Sequence, residues 1–131
     1  MIVVDASAVL ECLLQTPLGV RVEGRLFAPR ESLHAPHLVD LEVAQVLRRF
    51  TAAGTISASR GEEALEDLAD LAIHRYPHAA LLPRIWELRG PLTAYDAAYI
   101  ALAEALDAPV LTCDTKLGSA RGHHARVEVA S

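Results

Sequence analysis

The stretches that decide the fold are Ile2-Val3-Val4-Asp5-Ala6-Ser7 and Val110-Leu111-Thr112-Cys113-Asp114. Each is a short apolar run that closes on an acid. Runs of this kind, apolar without alternation, are read as strands buried on both faces, the habit of parallel sheets covered by helices. In open α/β sheets the crevice for a ligand lies at the carboxyl ends of the strands, where strand order reverses and the connections diverge. Asp5 and Asp114 therefore fall where a site is expected, and two carboxylates there can hold a divalent cation.

Between these runs the pattern alternates strand and helix. A helix is expected from Ala6 to Leu14, and a second one starts at Pro17, whose fixed φ suits a first helical turn. Leu33-His34-Ala35 is a brief second strand. From His37 to Phe50 the residues Val39, Val43, Val46, Leu47 and Phe50 lie on one arc of a helix that Gly54 ends. Ser57 or Ser59 caps the next helix, through Leu65, Leu68 and Leu71, and Ile73 to Tyr76 forms a third strand before Pro77. A helix over Pro83 to Leu88, one opened by Thr93 and running to Leu106, a turn of helix from Thr115 and a strand over Arg126 to Val129 complete the chain. The alternation implies a three-layer α/β/α sandwich around a parallel sheet of four or five strands, in order 3-2-1-4-5, with the reversal between the Asp5 and Asp114 strands. Residues 1–131 read as one domain, with no linker, repeat or low-complexity stretch.

Composition narrows the function. With 52% hydrophobic residues the chain can bury a core without staples. Its two cysteines, Cys12 and Cys113, are too far apart in sequence for a zinc ribbon or a CxxC redox pair, which fits a reducing cytoplasm. No secretory leader and no membrane-length apolar segment is visible. A net charge of −5 argues against coating nucleic acid by charge alone, but not against a nuclease whose metal brings the positive charge.

Four acids carry the chemistry, and each has a plainer reading. Asp5 and Asp114 could simply cap the helices that follow them. Glu42 lies at the edge of the apolar arc of its helix, where a carboxylate is desolvated at a cost unless paired; a salt bridge to Arg49 or an ordinary wet edge would account for it. Asp40 sits on the opposite edge and is not expected in the same site. Asp96 follows Thr93 at the spacing of a capping box, yet the apolar helix Ala97-Ala98-Tyr99-Ile100-Ala101 would press that helix start onto the strand ends.

Taken in order, the phrases Val3-Val4-Asp5-Ala6-Ser7, Pro36-His37-Leu38-Val39-Asp40-Leu41-Glu42, Leu92-Thr93-Ala94-Tyr95-Asp96-Ala97-Ala98-Tyr99 and Val110-Leu111-Thr112-Cys113-Asp114 resemble the PIN-domain ribonucleases, and among them the VapC toxins of bacterial toxin–antitoxin pairs. The resemblance spans the chain. It implies that Asp5, Glu42, Asp96 and Asp114 form the family's acidic quartet, with Ser7 and Thr112 at the hydroxyl positions beside it. Asp5, Asp96 and Asp114 would be the metal ligands, and Glu42 would complete the cluster or position the water. Many members carry a further acid just after the last of these, where this chain has Lys116, Leu117 and Gly118. All-oxygen donors suit Mg²⁺ or Mn²⁺ and not zinc. The implied reaction is metal-dependent hydrolysis of RNA, leaving 5′-phosphate and 3′-hydroxyl ends, with a tRNA or rRNA loop as substrate. The implied partners are a VapB-like antitoxin whose C-terminal segment covers the acidic pocket and a second copy of the chain in a homodimer, in the cytoplasm.

Other classes are kept beside this one. A response-regulator receiver needs paired early acids and a central phosphoacceptor Asp, and Arg75-Tyr76-Pro77 offers none. A haloacid-dehalogenase-type phosphatase needs an Asp where Ser7 stands. An inactive PIN module that only binds protein, or a PIN nuclease outside any toxin pair, also shares these features. His123-His124 is read as surface histidines, Arg48-Arg49 as a solvated helix end, Trp86 and Tyr99 as core or interface, Lys116 as an exposed turn lysine and Cys113 as a passive strand-end residue.

Overall fold

A computed structural model describes residues 1–131. Five strands, β1 (Ile2–Val4), β2 (Leu33–Pro36), β3 (Ile73–Tyr76), β4 (Val110–Thr112) and β5 (Val127–Val129), form one sheet in the order β3-β2-β1-β4-β5. Every pairing is parallel, with Val3 opposite His34 on one side and Val110 on the other. Reversal of strand order falls between β1 and β4, as the sequence implied. The two runs quoted first are therefore the central strands, and Ile2, Val3, Val4, Val110 and Leu111 are buried because both faces of the sheet are covered.

Seven helices cover it: α1 (Ala6–Leu13), α2 (Pro17–Leu26), α3 (Leu38–Ala52), α4 (Ala58–Asp70), α5 (Leu82–Glu87), α6 (Ala94–Leu106) and α7 (Thr115–Ser119). α1 packs with α2, α3 and α4, whereas α6 packs with α5 and lies against β1, β2 and β4. The α/β sandwich follows from the residues that face inward: Val39, Val43 and Leu47 from α3, Ala64 and Leu68 from α4, and an unbroken buried run from Ala97 to Ala103 in α6. That run explains why α6 has little amphipathic pattern: it is a core helix wedged along the sheet.

Local signals set the helix ends. Thr16, Ser57 and Thr93 each accept a backbone N–H of the turn they precede, and Pro17 occupies the first helical position of α2. α3 gives way to Gly54 at φ +75°, a conformation in which a Cβ is strained. α1 and α2 approach so closely that a Cβ on Gly19 would stand 2.1 Å from the Glu11 carbonyl oxygen. At the β2–β3 side the buried His34 ring bonds Ser32 and Tyr76, each at 2.7 Å, and stacks on His74.

Of the two places expected for Trp86, core or interface, the structure removes the core. Trp86 is 67% exposed on α5, with the Arg89 guanidinium 4.6 Å from the centre of its ring, so it contributes nothing to the core. The apolar face of α5 is carried instead by Ile85, with Leu88 just beyond the helix end, and both are buried.

Candidate active site

The four acids reach one pocket from four separate elements. Asp5 follows β1, Glu42 lies on α3, Asp96 is in the first turn of α6, and Asp114 follows β4. All four line a cavity of about 520 Å³, together with Ser7, Gln45, Arg49, Tyr95, Tyr99 and apolar side chains that include Leu38 and Leu41.

Asp5 is the most buried of the four, at 7% exposure. It does cap α1, as the plainer reading held: Oδ1 accepts the Ala8 N–H at 3.1 Å. The same oxygen accepts the Ser7 hydroxyl at 2.7 Å, and Oδ2 accepts the Thr112 hydroxyl. Each hydroxyl is itself held from β4, Ser7 Oγ accepting the Cys113 N–H and Thr112 Oγ1 accepting the Asp114 N–H, both at 2.9 Å. Two side chains thus bridge the ends of the two central strands and clamp Asp5 between them. Asp114 also caps, Oδ1 accepting the Lys116 N–H at 2.9 Å. Capping and lining the pocket are compatible, because a helix that starts at a strand end aims its cap at the crevice.

Glu42 forms no ion pair with Arg49, contrary to that alternative; its partner is Tyr99, whose hydroxyl donates to Oε1 at 2.6 Å. Asp40 turns away and binds Arg75, with nitrogen–oxygen distances of 2.8 to 3.0 Å, as its position on the opposite edge implied. Thr93 caps α6 by accepting the Asp96 N–H at 3.2 Å, but the Asp96 carboxylate makes no return bond to the Thr93 backbone. Only half of a capping box is built, and the carboxylate is left to the pocket.

Electrostatics agree with a concentration of like charge. Burial pushes the Asp5 carboxyl above its ordinary range; the bonds from Thr112, Ser7 and Ala8 pull it back, and Asp96 pushes it up again. Burial also raises Glu42, opposed by the Tyr99 hydroxyl and reinforced by Asp96 and Asp5. For Asp96 burial comes first and repulsion from Asp114 second, with the Thr93 hydroxyl pulling the other way. Burial and then the bond to Glu42 hold the Tyr99 phenol far above its usual value, so it is a permanent donor. Cys113, half-buried beside Asp5, is pushed up to about 11 by burial and by that carboxylate, and stays a thiol at neutral pH.

Hard oxygen donors that raise one another's proton affinity fit a hard divalent cation, which relieves the repulsion that protons otherwise must. As placed, no three of them converge on one point at ligating distance. Asp5, Glu42 and Asp114 each have a carboxylate oxygen held by a hydrogen bond, whereas the Asp96 carboxylate accepts no backbone N–H.

Sequence reasoning missed Tyr99 as a site residue, and Arg49, Gln45 and Tyr95 as lining. Spacing carried the signal: Tyr99 lies three residues after Asp96, and Gln45 and Arg49 lie three and seven after Glu42, so each shares its acid's helix face. His123 and His124 stay outside the pocket, on the Glu104 side of the molecule, where Glu104 accepts the His124 N–H at 2.8 Å. Lys116 is exposed and does not line the pocket.

Comparison with known proteins places this architecture. The PIN domain model matches residues 2–122. The chain is 47% identical over 117 residues to ribonuclease VapC9 of Mycobacterium tuberculosis, covering 89% of this chain and 88% of that protein. It is 38% identical to ribonuclease VapC12 of the same organism over the full length of both. Among solved structures, PAE2754 of Pyrobaculum aerophilum superposes with a TM-score of 0.72 at 23% identity, covering 98% of this chain and 83% of the other. VapBC2 of Rickettsia felis, bound to a DNA fragment from its promoter, matches with a TM-score of 0.72 at 14% identity over the whole of both chains. The chain belongs to the PIN-domain family and groups there with the VapC ribonucleases.

Proposed function

We propose that this chain is a Mg²⁺- or Mn²⁺-dependent endoribonuclease that acts as the toxin of a type II toxin–antitoxin pair. The observation that carries the reading is the meeting of Asp5, Glu42, Asp96 and Asp114 in one pocket at the reversal point of the sheet. The ribonuclease function of relatives that match nearly the whole chain supports it.

Asp5, Asp96 and Asp114 would hold the cation. When bound, Mg²⁺ or Mn²⁺ supplies Lewis acidity toward the phosphodiester and toward the water that attacks it. Asp5 is a fixed acceptor, since the hydroxyls of Ser7 and Thr112 define the orientation of both its oxygens. Glu42 has Oε1 committed to Tyr99 and Oε2 as the free acceptor, which suits it to hold the attacking water by a proton. Burial raises its proton affinity, and that makes it a better base than a solvated carboxylate. Water attacks phosphorus, the bond from phosphorus to the 3′ oxygen breaks, and a proton passes to that oxygen, leaving 5′-phosphate and 3′-hydroxyl ends.

Residues 1–131 are proposed to act as one nuclease domain in the cytoplasm, as a homodimer silenced by a VapB-like antitoxin over the acidic pocket. Leu41, 75% exposed, and Tyr95, 65% exposed, give this pocket an apolar wall that suits a protein segment as well as a nucleobase. No helix is long and apolar enough to cross a membrane.

Expression in a bacterial host, with sequencing of RNA 5′ ends, tests the reading. Growth arrest with cuts at one or a few tRNA or rRNA sites is expected, and both should vanish with Asp96→Asn. Scattered cuts would leave a nuclease but remove the toxin; a folded protein that cuts nothing would leave the inactive binding module.

A further inference from the structure

RNA is a polyanion, and the pocket proposed to cut it is lined by four carboxylates on a chain of net charge −5. A cation shared by these acids can neutralise the phosphate being cleaved, but its neighbours along the strand still face repulsion. One basic side chain lines the pocket, and it is Arg49.

Its circumstances differ from those of the other arginines that sit near acids. Arg25, Arg60, Arg75 and Arg84 are each committed to a carboxylate of their own. Arg49 makes no ion pair and its side chain no hydrogen bond, although Glu42 stands two turns earlier on its own helix face. The Glu42 carboxylate is engaged by Tyr99 instead. The guanidinium is exposed, at the C-terminal end of α3, where the helix dipole favours a cation without consuming its donors. Gln45 lies one turn before it and also lines the pocket. From Glu42 through Gln45 to Arg49, this face of α3 leads from acid through amide to cation.

We infer that Arg49 holds a backbone phosphate of the RNA beside the scissile one, fixing how the strand lies along α3 across the acidic pocket. The inference rests on the ribonuclease reading and adds a substrate-positioning residue to it. A guanidinium presents paired donors that match two phosphate oxygens, so it can fix both position and direction of the strand. The neighbouring Arg48 provides the internal control: it lies on the same helix and is also exposed, but faces the α3–α4 side and not the acids.

The test measures binding of a fluorescein-labelled single-stranded RNA of mixed sequence to the full-length Asp96→Asn protein at fixed Mg²⁺ and varied KCl. The same RNA is also offered to the wild type for cleavage. A single-strand phosphate contact contributes about 0.7 to the slope of log affinity against log salt. Adding Arg49→Ala should lower the magnitude of that slope by about this amount and weaken binding roughly tenfold near 0.1 M salt. Arg49→Lys should restore the slope but only part of the affinity, because a point charge replaces a fork. Arg48→Ala should leave both nearly unchanged. In the cleaving protein, Arg49→Ala should raise KM and leave kcat within a few-fold.

An unchanged slope with Arg49→Ala, or equal losses with Arg48→Ala and Arg49→Ala, overturns the inference while the nuclease reading stands. If the Asp96→Asn protein binds too weakly to measure, the cleaving protein decides: a KM unchanged by Arg49→Ala overturns the inference, and a raised KM with kcat kept sustains it. Failure of the wild type to cleave any RNA overturns both.

Discussion

Tyr99 donates its hydroxyl to Glu42 Oε1 at 2.6 Å, and this bond joins α6 to α3 at the acidic pocket. Tyr99 is 1% exposed, so the donor cannot turn to water. One buried phenol thus fixes the orientation of an acid that accepts no backbone N–H, whereas Asp5 and Asp114 are anchored by the N–H groups of the helices they cap.

Tyr99→Phe should therefore separate orientation from packing. The ring is kept, and loss of one hydrogen bond to a charged group is expected to cost about 1.5–3 kcal/mol, toward the lower end where the half-buried Glu42 carboxylate can take water in its place. Urea unfolding should show a small loss of stability, while kcat should fall by more than tenfold at unchanged KM, a readout that loss of packing alone would not produce. Equal changes in stability and kcat/KM would make Tyr99 a core residue only.

Stability against pH should bear the signature of crowded acids. Asp5, Glu42 and Asp96 bind protons more tightly in the folded than in the unfolded chain. Their contribution is present below the unfolded carboxyl values and is lost as pH rises through the folded ones, so at neutral pH they weaken the metal-free fold. Glu31, held low by the Met1 ammonium and Arg25, and Glu104, held low by Arg84, act in the opposite sense. Comparing variants removes that background. Without metal, Asp96→Asn should melt higher than the wild type at neutral pH, with the gain shrinking as pH falls toward about 4. A gain that is constant with pH would contradict the burial and repulsion that raise the Asp96 carboxyl.

Asp5→Asn should behave differently from Asp96→Asn. An amide nitrogen facing Thr112 cannot accept its hydroxyl, and that oxygen already accepts the Asp114 N–H. Thermal melts should show less gain than Asp96→Asn, or a net loss, even though asparagine caps a helix nearly as well as aspartate. A gain equal to that of Asp96→Asn would mean that the hydroxyl clamp is weak.

Gly19→Ala tests the packing beneath the site. Its Cβ would meet the Glu11 carbonyl at 2.1 Å, which α1 and α2 can avoid only by moving apart. Denaturant unfolding should show a loss of roughly 1–3 kcal/mol. Gly24, with open space around it, should lose little.

The sheet was legible because its central strands are unbroken apolar runs, a pattern that only burial on both faces explains. Acids at strand ends were legible for the same reason, since the strand order 3-2-1-4-5 puts Asp5 and Asp114 after neighbouring strands. What the sequence hid was pairing between elements. Nothing local distinguishes Arg49 or Tyr99 as the partner of Glu42; the choice depends on how α6 crosses toward α3. Of the two places expected for Trp86, core or interface, the core is ruled out, because α5 is too short to bury more than Ile85 with Leu88 at its end. Half of the capping box at Thr93 was also invisible, because the same spacing serves a carboxylate that returns to the backbone and one that faces a pocket.

The most direct measurement is Mg²⁺-dependent cleavage of total bacterial RNA by the purified chain, with thermal melting of the same samples. Chelator should abolish cleavage, and Mg²⁺ or Mn²⁺ should restore it and raise the Tm of the wild type at neutral pH. Asp96→Asn should neither cleave nor gain as much stability from the metal, while remaining folded. Cleavage undiminished in chelator, or Asp96→Asn protein that cleaves as the wild type does, would contradict the assignment of this pocket.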